Sequence, residues 1–230
     1  MSTDYRFQAV AAPATGALAT NKVLRNTYIL LSMTLLFSAA MAAVSTVLQL
    51  PYPGFLPMLA VFIGGPILIN RLRNSSWGIL AVFAFTGLLG LFLGPVLNLY
   101  LTTFRNGSEL IMMALGGTGL TFLGLSGYVL TSRKDFSFMG GFLFAGLMVM
   151  LLSVVGLWVA SMFGIQVPAI QLALSALIVM LMAGYILFDT SRIVHGGETN
   201  YVMATVSLYV NIYVLFTNLL QLLGVFGGDD

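Results

Sequence analysis

Apolar runs of about 20 residues recur along the whole chain, and a helix of that length crosses the roughly 30 Å hydrocarbon core of a bilayer. Only 7% of the 230 residues are charged, and 59% are hydrophobic. A soluble domain of this length could not bury so much apolar surface. The sequence therefore predicts an all-α, polytopic protein embedded in the lipid bilayer.

Gly, Pro and polar residues between the apolar runs predict seven separate transmembrane helices. The second is the least regular, because Gly64, Gly65 and Pro66 interrupt it, and we expect a kink or a break there. The seven spans lie at about 27–50, 53–70, 77–101, 109–130, 138–162, 167–190 and 202–224.

The sequence predicts that the chain has three parts: a tail at each end and the transmembrane domain between them. We expect residues 1–26, which are rich in Ala, Thr and Pro, to form a disordered cytoplasmic tail. Residues 27–224 form the seven-helix transmembrane domain, and residues 225–230 form a short non-cytoplasmic tail.

The distribution of cations predicts the orientation in the membrane. With a cytoplasmic N-terminus, eight cations face the cytoplasm and only Arg105 faces the other side, as the positive-inside rule requires. The eight are Arg6, Lys22, Arg25, Arg71, Arg73, Arg133, Lys134 and Arg192. Since these cations are explained by topology and by anionic lipid headgroups, we expect no nucleic-acid partner.

Glycines cluster inside the apolar spans and indicate close helix packing. Gly90 and Gly94 form a GxxxG pair, and Gly141 with Ala145 forms a small-xxx-small pair. Such pairs let helix backbones approach closely, so we expect a tight bundle. Homodimerisation through the GxxxG pair is the alternative.

Residues able to carry catalysis are few. The chain has no Cys and a single His, so we expect no disulfide, no thiolate chemistry, no metal and no cofactor. The GLSG stretch at Gly124 to Gly127 together with His195 is the pattern of a rhomboid-type intramembrane serine protease. The favoured interpretation is that Ser126 is a small packing residue and that His195 stops its helix, so we expect no enzyme.

A carboxylate inside the sixth span faces a ladder of polar residues in the seventh. Asp189 lies about 7 Å from the end of its span, and a carboxylate at that depth usually takes a partner. Because the short loop between the two helices makes them antiparallel, Asn211 should hold Asp189. The alternative is a local pair with Arg192, three residues on, and either contact could make these groups sense protons or ions. The predicted inward polar face of the last helix comprises Ser207, Asn211, Asn218 and Gln221.

The segment RKDFSFMGG, which follows the fourth span, places two cations and an Asp before Phe136 and Phe138. This pattern is typical of a cytoplasmic loop that leads into an interfacial aromatic anchor. A partner-docking loop is the alternative.

Several stretches together resemble one known family. KVLRNTYILLSMTLLFSA, LGPVLN, TSRKDFSFMGGFLFAG and ILFDTSRIVHGGETNYVMATVSLYVNIYVLF are similar to the Bax inhibitor family of seven-helix membrane proteins, over nearly all of the chain beyond the tail. The resemblance is greatest to the bacterial branch that includes the inner-membrane modulator of the AAA protease FtsH. It implies a central last helix, no enzymatic activity, an inner-membrane location and, in some members, a proton-dependent calcium leak.

At one position this chain differs from the family's pattern. Leaking members share a proton between two aspartates, one on each of the last two helices, and Asp189 matches the first of them. At the second position this chain has Asn211. A single carboxylate beside an amide can stay ionised, so we expect a protease modulator with little calcium flux between about pH 6 and 8. A pH-dependent calcium leak channel is the alternative.

Overall fold

The computed structural model describes the backbone of residues 14–228 and the side chains of residues 20–228. This part of the chain forms seven α-helices, each long and apolar enough to cross a membrane, which confirms the predicted fold class. The helices are α1 (Ala14–Val47), α2 (Phe55–Leu72), α3 (Trp77–Thr103), α4 (Gly107–Ser132), α5 (Gly140–Met162), α6 (Pro168–Val194) and α7 (Tyr201–Gly227), with a short 3₁₀ turn at Ser137–Met139 before α5.

The first helix begins earlier than predicted. Residues 14–26 are helical, so the expectation of a disordered tail was wrong for this half of it. The physical reason is the high helix propensity of the Ala, Leu, Lys and Arg residues that continue the first span beyond its apolar part. The other predicted tail residues, 1–13, and the chain end at 229–230 lie outside the described residues.

The second helix runs unbroken through Gly64, Gly65 and Pro66, so the predicted break is absent from α2. Proline is tolerated inside membrane helices when neighbouring groups compensate for the lost backbone hydrogen bond. Gly65 has a packing role instead, because a Cβ at this position would collide with the ring of Phe85 on α3.

Close packing of α1 against α3 depends on the predicted GxxxG pair. A Cβ on Gly90 would collide with the backbone of Ser38, and one on Gly94 would collide with Ser45. The Ser45 hydroxyl donates to the Leu91 carbonyl oxygen at 2.7 Å, which the short helix separation makes possible. The second predicted pair is not used in this way, because Gly141 is exposed with no atom near its Cβ position.

The last helix contacts α1, α2, α3, α4 and α6, and half of its span is buried, more than in any other described span. Two tyrosines fix it against its neighbours. The Tyr209 hydroxyl is 2.6 Å from the Ser38 hydroxyl, and the Tyr213 hydroxyl donates to the Leu89 carbonyl oxygen at 3.2 Å. These two hydrogen bonds tie α7 to α1 and to α3.

Helices α2 and α5 are the least buried spans of the described chain, with 6% of each buried. Between them lies a cavity of about 540 Å³ whose floor is formed by α6 and α7. The rings of Phe55 and Trp158 stack at 4.8 Å between the start of α2 and the end of α5. The lining is mainly apolar, and its polar residues on α7 include Ser207, Asn211, Thr217 and Asn218.

Candidate functional site

Asp189 on α6 is held by two side chains of α7. Its Oδ2 atom accepts a hydrogen bond from the Ser207 hydroxyl at 2.5 Å and another from the Asn211 amide at 2.8 Å. Asp189 is 7% exposed and Asn211 is 5% exposed. The carboxylate therefore has the interhelical partners that a charge in a membrane span needs.

Local sequence places these three groups together. Ser207 and Asn211 are four residues apart, so they lie one above the other on the same face of α7. The start of α7 is fixed by Asn200, whose side-chain oxygen accepts from the backbone N–H groups of Val202 and Met203 at 3.0 and 3.2 Å. This cap ends the short loop after α6 and sets the antiparallel register in which Asp189 meets the polar face.

Arg192 does not form the ion pair with Asp189 that the sequence left as an alternative. Its Nη2 atom lies 3.6 Å from Oε2 of Glu198 in the loop before α7, and its guanidinium lies 5.6 Å from the centre of the Phe188 ring. Arg192 lies close to the end of α6, so its side chain reaches Glu198 in the loop more easily than it reaches the buried Asp189 carboxylate. Asp189 is thus held by neutral donors.

The rest of the predicted polar face divides between α6 and the cavity. Gln221 accepts a hydrogen bond from the Ser175 hydroxyl of α6 at 3.0 Å. Asn218 donates to the carbonyl oxygen of Val214 on its own helix at 2.8 Å and lines the cavity. The polar face of α7 therefore forms hydrogen bonds with α6 at two positions along the helix, Asp189 and Ser175.

The arrangement contains one carboxylate and no metal-binding cluster. Among residues 14–228, no group of three or more His, Cys, Asp or Glu side chains lies close enough to hold a metal ion. Asn211 can donate to Asp189 but cannot exchange a proton with it as a second carboxyl group would. The site can bind two helices together, and it lacks the acid–base pair that proton sharing requires.

Ser126 and His195, the candidates for a protease dyad, have separate partners. The Ser126 hydroxyl is 3.2 Å from the Thr190 hydroxyl, and Ser126 is 2% exposed. The Nδ1 atom of His195 lies 2.9 Å from the Ser191 carbonyl oxygen, and its Nε2 atom lies 3.1 Å from the Arg133 carbonyl oxygen. Ser126 therefore behaves as a packing residue between α4 and α6, in agreement with the favoured interpretation.

A second polar cluster joins the loop between α4 and α5 to the end of α6. Ser191 accepts a hydrogen bond from the Phe136 backbone N–H at 2.8 Å and donates to Oδ1 of Asp135 at 3.3 Å. Hydrogen bonds from the Ser137 side chain and backbone lower the pKa of the Asp135 carboxyl below its usual range. The Ser191 hydroxyl is entirely buried and carried no signal in the sequence, so this cluster was missed.

Comparison with known proteins identifies the family to which the chain belongs. The family model described as "Inhibitor of apoptosis-promoting Bax1" matches residues 20–228. The chain belongs to the Bax inhibitor family. The resemblance found in the sequence is thereby confirmed over all seven helices.

Three relatives within this family cover nearly the full length of the chain. "Modulator of FtsH protease YccA" of Escherichia coli K12 is 52% identical over 215 residues, which are 94% of this chain and 95% of the relative. An uncharacterised protein of Pseudomonas aeruginosa is 51% identical over 208 residues, which are 90% and 91% of the two chains. An uncharacterised protein of Neisseria meningitidis is 29% identical over 218 residues, 91% and 93% of the two chains.

Proposed function

We propose that this Bax inhibitor family protein modulates a membrane-anchored AAA protease of the FtsH type in the bacterial inner membrane. The observation that carries the proposal is the 52% identity to the Escherichia coli FtsH modulator, which extends over almost the whole of both chains. The same Escherichia coli protein is also described as an inner membrane protein in a second strain.

The geometry of the polar site supports a regulatory function over a conducting one. Asp189 is bonded to Ser207 and Asn211, and an ion passing this point would have to displace both donors from the carboxylate. Calcium prefers six to eight oxygen ligands, with carboxylates prominent among them. A single carboxylate whose Oδ2 is already bonded twice is a poor calcium ligand set.

The proposed orientation places the N-terminus in the cytoplasm and the C-terminus on the opposite side. The loops after α2, α4 and α6 then lie on the cytoplasmic side, where an ATP-driven protease takes up its substrates. These loops carry Arg73, Arg133 and Lys134, whereas Arg105 lies on the other side. The α4–α5 loop, with its exposed Phe138, is the predicted aromatic anchor, and docking of such a partner is the alternative function of this loop.

Co-purification of the native complex tests the proposal. The chain is expressed at its natural level with a C-terminal affinity tag, extracted in mild detergent and analysed by mass spectrometry. We expect the host's FtsH-type protease to be retained in amounts comparable to the chain. A second seven-helix membrane protein with the same tag is the control, and equal recovery of the protease with both proteins would contradict the proposal.

A further inference from the structure

We propose that the cavity between α2 and α5 binds a single-chain lipid with an uncharged hydroxyl headgroup, whose hydroxyl donates a hydrogen bond to the side-chain oxygen of Asn211. The hydrocarbon chain of this lipid lies along α7 in the apolar part of the cavity. The site adjoins Asp189 and does not depend on the proposed protease partner. Three features support it: the shape of the cavity, its lining and a free hydrogen-bond acceptor on Asn211.

The cavity is long and narrow. It follows α7 from Met203 to Asn218, a distance of about 22 Å at 1.5 Å per residue. Its volume of about 540 Å³ spread over that length gives an average cross-section of about 25 Å². A helix with its side chains is about 10–12 Å wide, so its cross-section is at least about 80 Å². The cavity is therefore too narrow for a transmembrane helix of a partner, and it suits a linear hydrocarbon chain.

The lining of the cavity suits a flexible apolar ligand. Each of four helices contributes one methionine, and methionine side chains adapt their shape to the groups they contact. The four are Met58 on α2, Met150 on α5, Met182 on α6 and Met203 on α7. Helices α2 and α5 are the least buried of the described spans, and the cavity between them is partly open. A lipid chain can therefore enter between these two helices from the surrounding bilayer.

Asn211 carries a hydrogen-bond acceptor that has no donor. Its amide nitrogen donates to Asp189 Oδ2, and because a carboxylate only accepts, this contact fixes the amide with Oδ1 on the other side. Among residues 20–228, no group donates a hydrogen bond to Asn211 Oδ1. Asn211 is 5% exposed, and its Oδ1 atom keeps contact with open space, which at this residue is the cavity. A ligand hydroxyl in the cavity would supply the missing donor.

The depth of Asn211 decides the kind of headgroup. Asn211 lies ten residues after the start of α7, which is about 15 Å, or half of the roughly 30 Å hydrocarbon core. No charged side chain of the described residues lines the cavity. A charged headgroup would lose its hydration there without gaining an ion pair. A small uncharged hydroxyl avoids that cost, so the site favours a fatty alcohol over a phospholipid or an ionised fatty acid.

Nuclear magnetic resonance of methionine methyl groups tests the site. The full chain, labelled with ¹³C-methyl methionine, is placed in nanodiscs of deuterated lipid, so that no detergent chain competes for the cavity. The probe is 1-hexadecanol, added in increasing amounts to the bilayer. We expect saturable shifts of the four methionines that line the cavity, and no saturable shift of Met112, which is exposed on α4.

Two further probes test the headgroup. Hexadecyl methyl ether has the same chain but accepts hydrogen bonds without donating them, and palmitate has the same chain length with a charged headgroup. We expect the ether to bind roughly fivefold more weakly than the alcohol, the factor that corresponds to one ordinary hydrogen bond. Palmitate should bind more weakly than the alcohol as well.

A matched pair of variants on α5 tests the location. Leu151 lines the cavity, whereas its neighbour Leu152 does not line it and is 73% exposed. Leu151→Trp should fill the space and abolish the saturable shifts, and Leu152→Trp should leave the affinity for hexadecanol unchanged.

A second pair of variants on α7 tests the acceptor. Asn211→Leu should remove the preference for the alcohol over the ether. Asn218→Leu is the control, because Asn218 also lines the cavity but its amide donates only within its own helix, and this variant should keep the preference.

Three results would overturn the proposal. Shifts that rise in proportion to added hexadecanol would show partition into the bilayer and no site. Saturable shifts that persist in Leu151→Trp would place the ligand outside the cavity. Equal affinity for the alcohol and the ether, or tighter binding of palmitate, would refute the hydroxyl headgroup and its bond to Asn211.

Discussion

Replacing Asn211 with aspartate should convert the Asp189 site from a hydrogen bond into a proton-sharing pair. In the present protein the Asn211 amide donates to Asp189 Oδ2 at 2.8 Å. A carboxylate in place of the amide would put two negative charges at nearly the same separation. Asn and Asp have almost the same shape, so the variant should keep the packing of α6 against α7.

The size of the repulsion decides the protonation of the variant. At 2.8 Å, two unit charges repel by about 6 kcal/mol at an effective dielectric constant of about 20. Keeping one carboxyl protonated at pH 7 costs only about 4 kcal/mol, because an ordinary aspartate loses its proton about three pH units lower. One proton should therefore be shared at neutral pH and released as the pH rises.

Calcium entry into dye-loaded liposomes measures the consequence. We expect little flux from the unmodified protein between about pH 6 and 8, and flux from Asn211→Asp that changes with pH across about pH 6 to 9. Asn218→Asp is the matched control, because it adds a carboxylate to the same helix about 10 Å further along the axis, away from Asp189. Its flux should stay as low as that of the unmodified protein.

Two results would refute this reasoning. Flux from Asn211→Asp that is flat across the whole pH range would show that no shared proton controls the site. Strong acid-sensitive flux from the unmodified protein, abolished by Asp189→Asn, would show that one aspartate suffices and that the calcium leak is the better description.

Four further predictions follow from the fold and its orientation. Asp189→Asn keeps an acceptor oxygen, so the free energy of unfolding in detergent should fall by no more than about 1 kcal/mol, which is the loss expected if both bonds, at about 0.6 kcal/mol each, were broken. Gly90→Leu should lower the unfolding temperature clearly, because overpacking typically costs about 1–3 kcal/mol, whereas Gly141→Leu should leave it unchanged. Reporter fusions within 104–107 and at the C-terminus should both report the non-cytoplasmic side, and a cytoplasmic C-terminus would mean an error in the number of crossings. Deleting residues 1–13 should leave the bundle folded but change its lifetime in cells that contain the protease, and an unchanged lifetime would exclude a function of this segment in degradation.

Sequence patterns predicted the helices and the contact between Asp189 and Asn211 because both follow from simple periodicities. Hydrophobic runs of membrane length fix the number of spans, and a spacing of four residues puts Ser207 and Asn211 on one helix face. The short loop after Asp189 then leaves one antiparallel arrangement. These features depend only on neighbours along the chain.

Features that depend on distant backbone were not predictable in the same way. The packing of Gly90, and the failure of Gly141 to pack, depend on which helix lies opposite each of them. The hydrogen bonds of Ser191 to the α4–α5 loop depend on that loop reaching the end of α6, which the sequence does not indicate. The helical start of α1 was missed because composition alone suggested disorder, whereas Ala and Leu favour helix beyond the membrane boundary.

Reconstituted proteolysis tests the central claim most directly. Purified FtsH-type protease is placed in liposomes with a labelled membrane substrate, with this chain or with an unrelated seven-helix protein at the same molar ratio. We expect this chain to change the rate of substrate degradation and the unrelated protein to leave it unchanged. The variants Asn211→Asp and Asp189→Asn should change the rate as the unmodified chain does, because the polar site holds helices together and is not the contact with the protease. Equal degradation rates with this chain and with the unrelated protein would contradict the account.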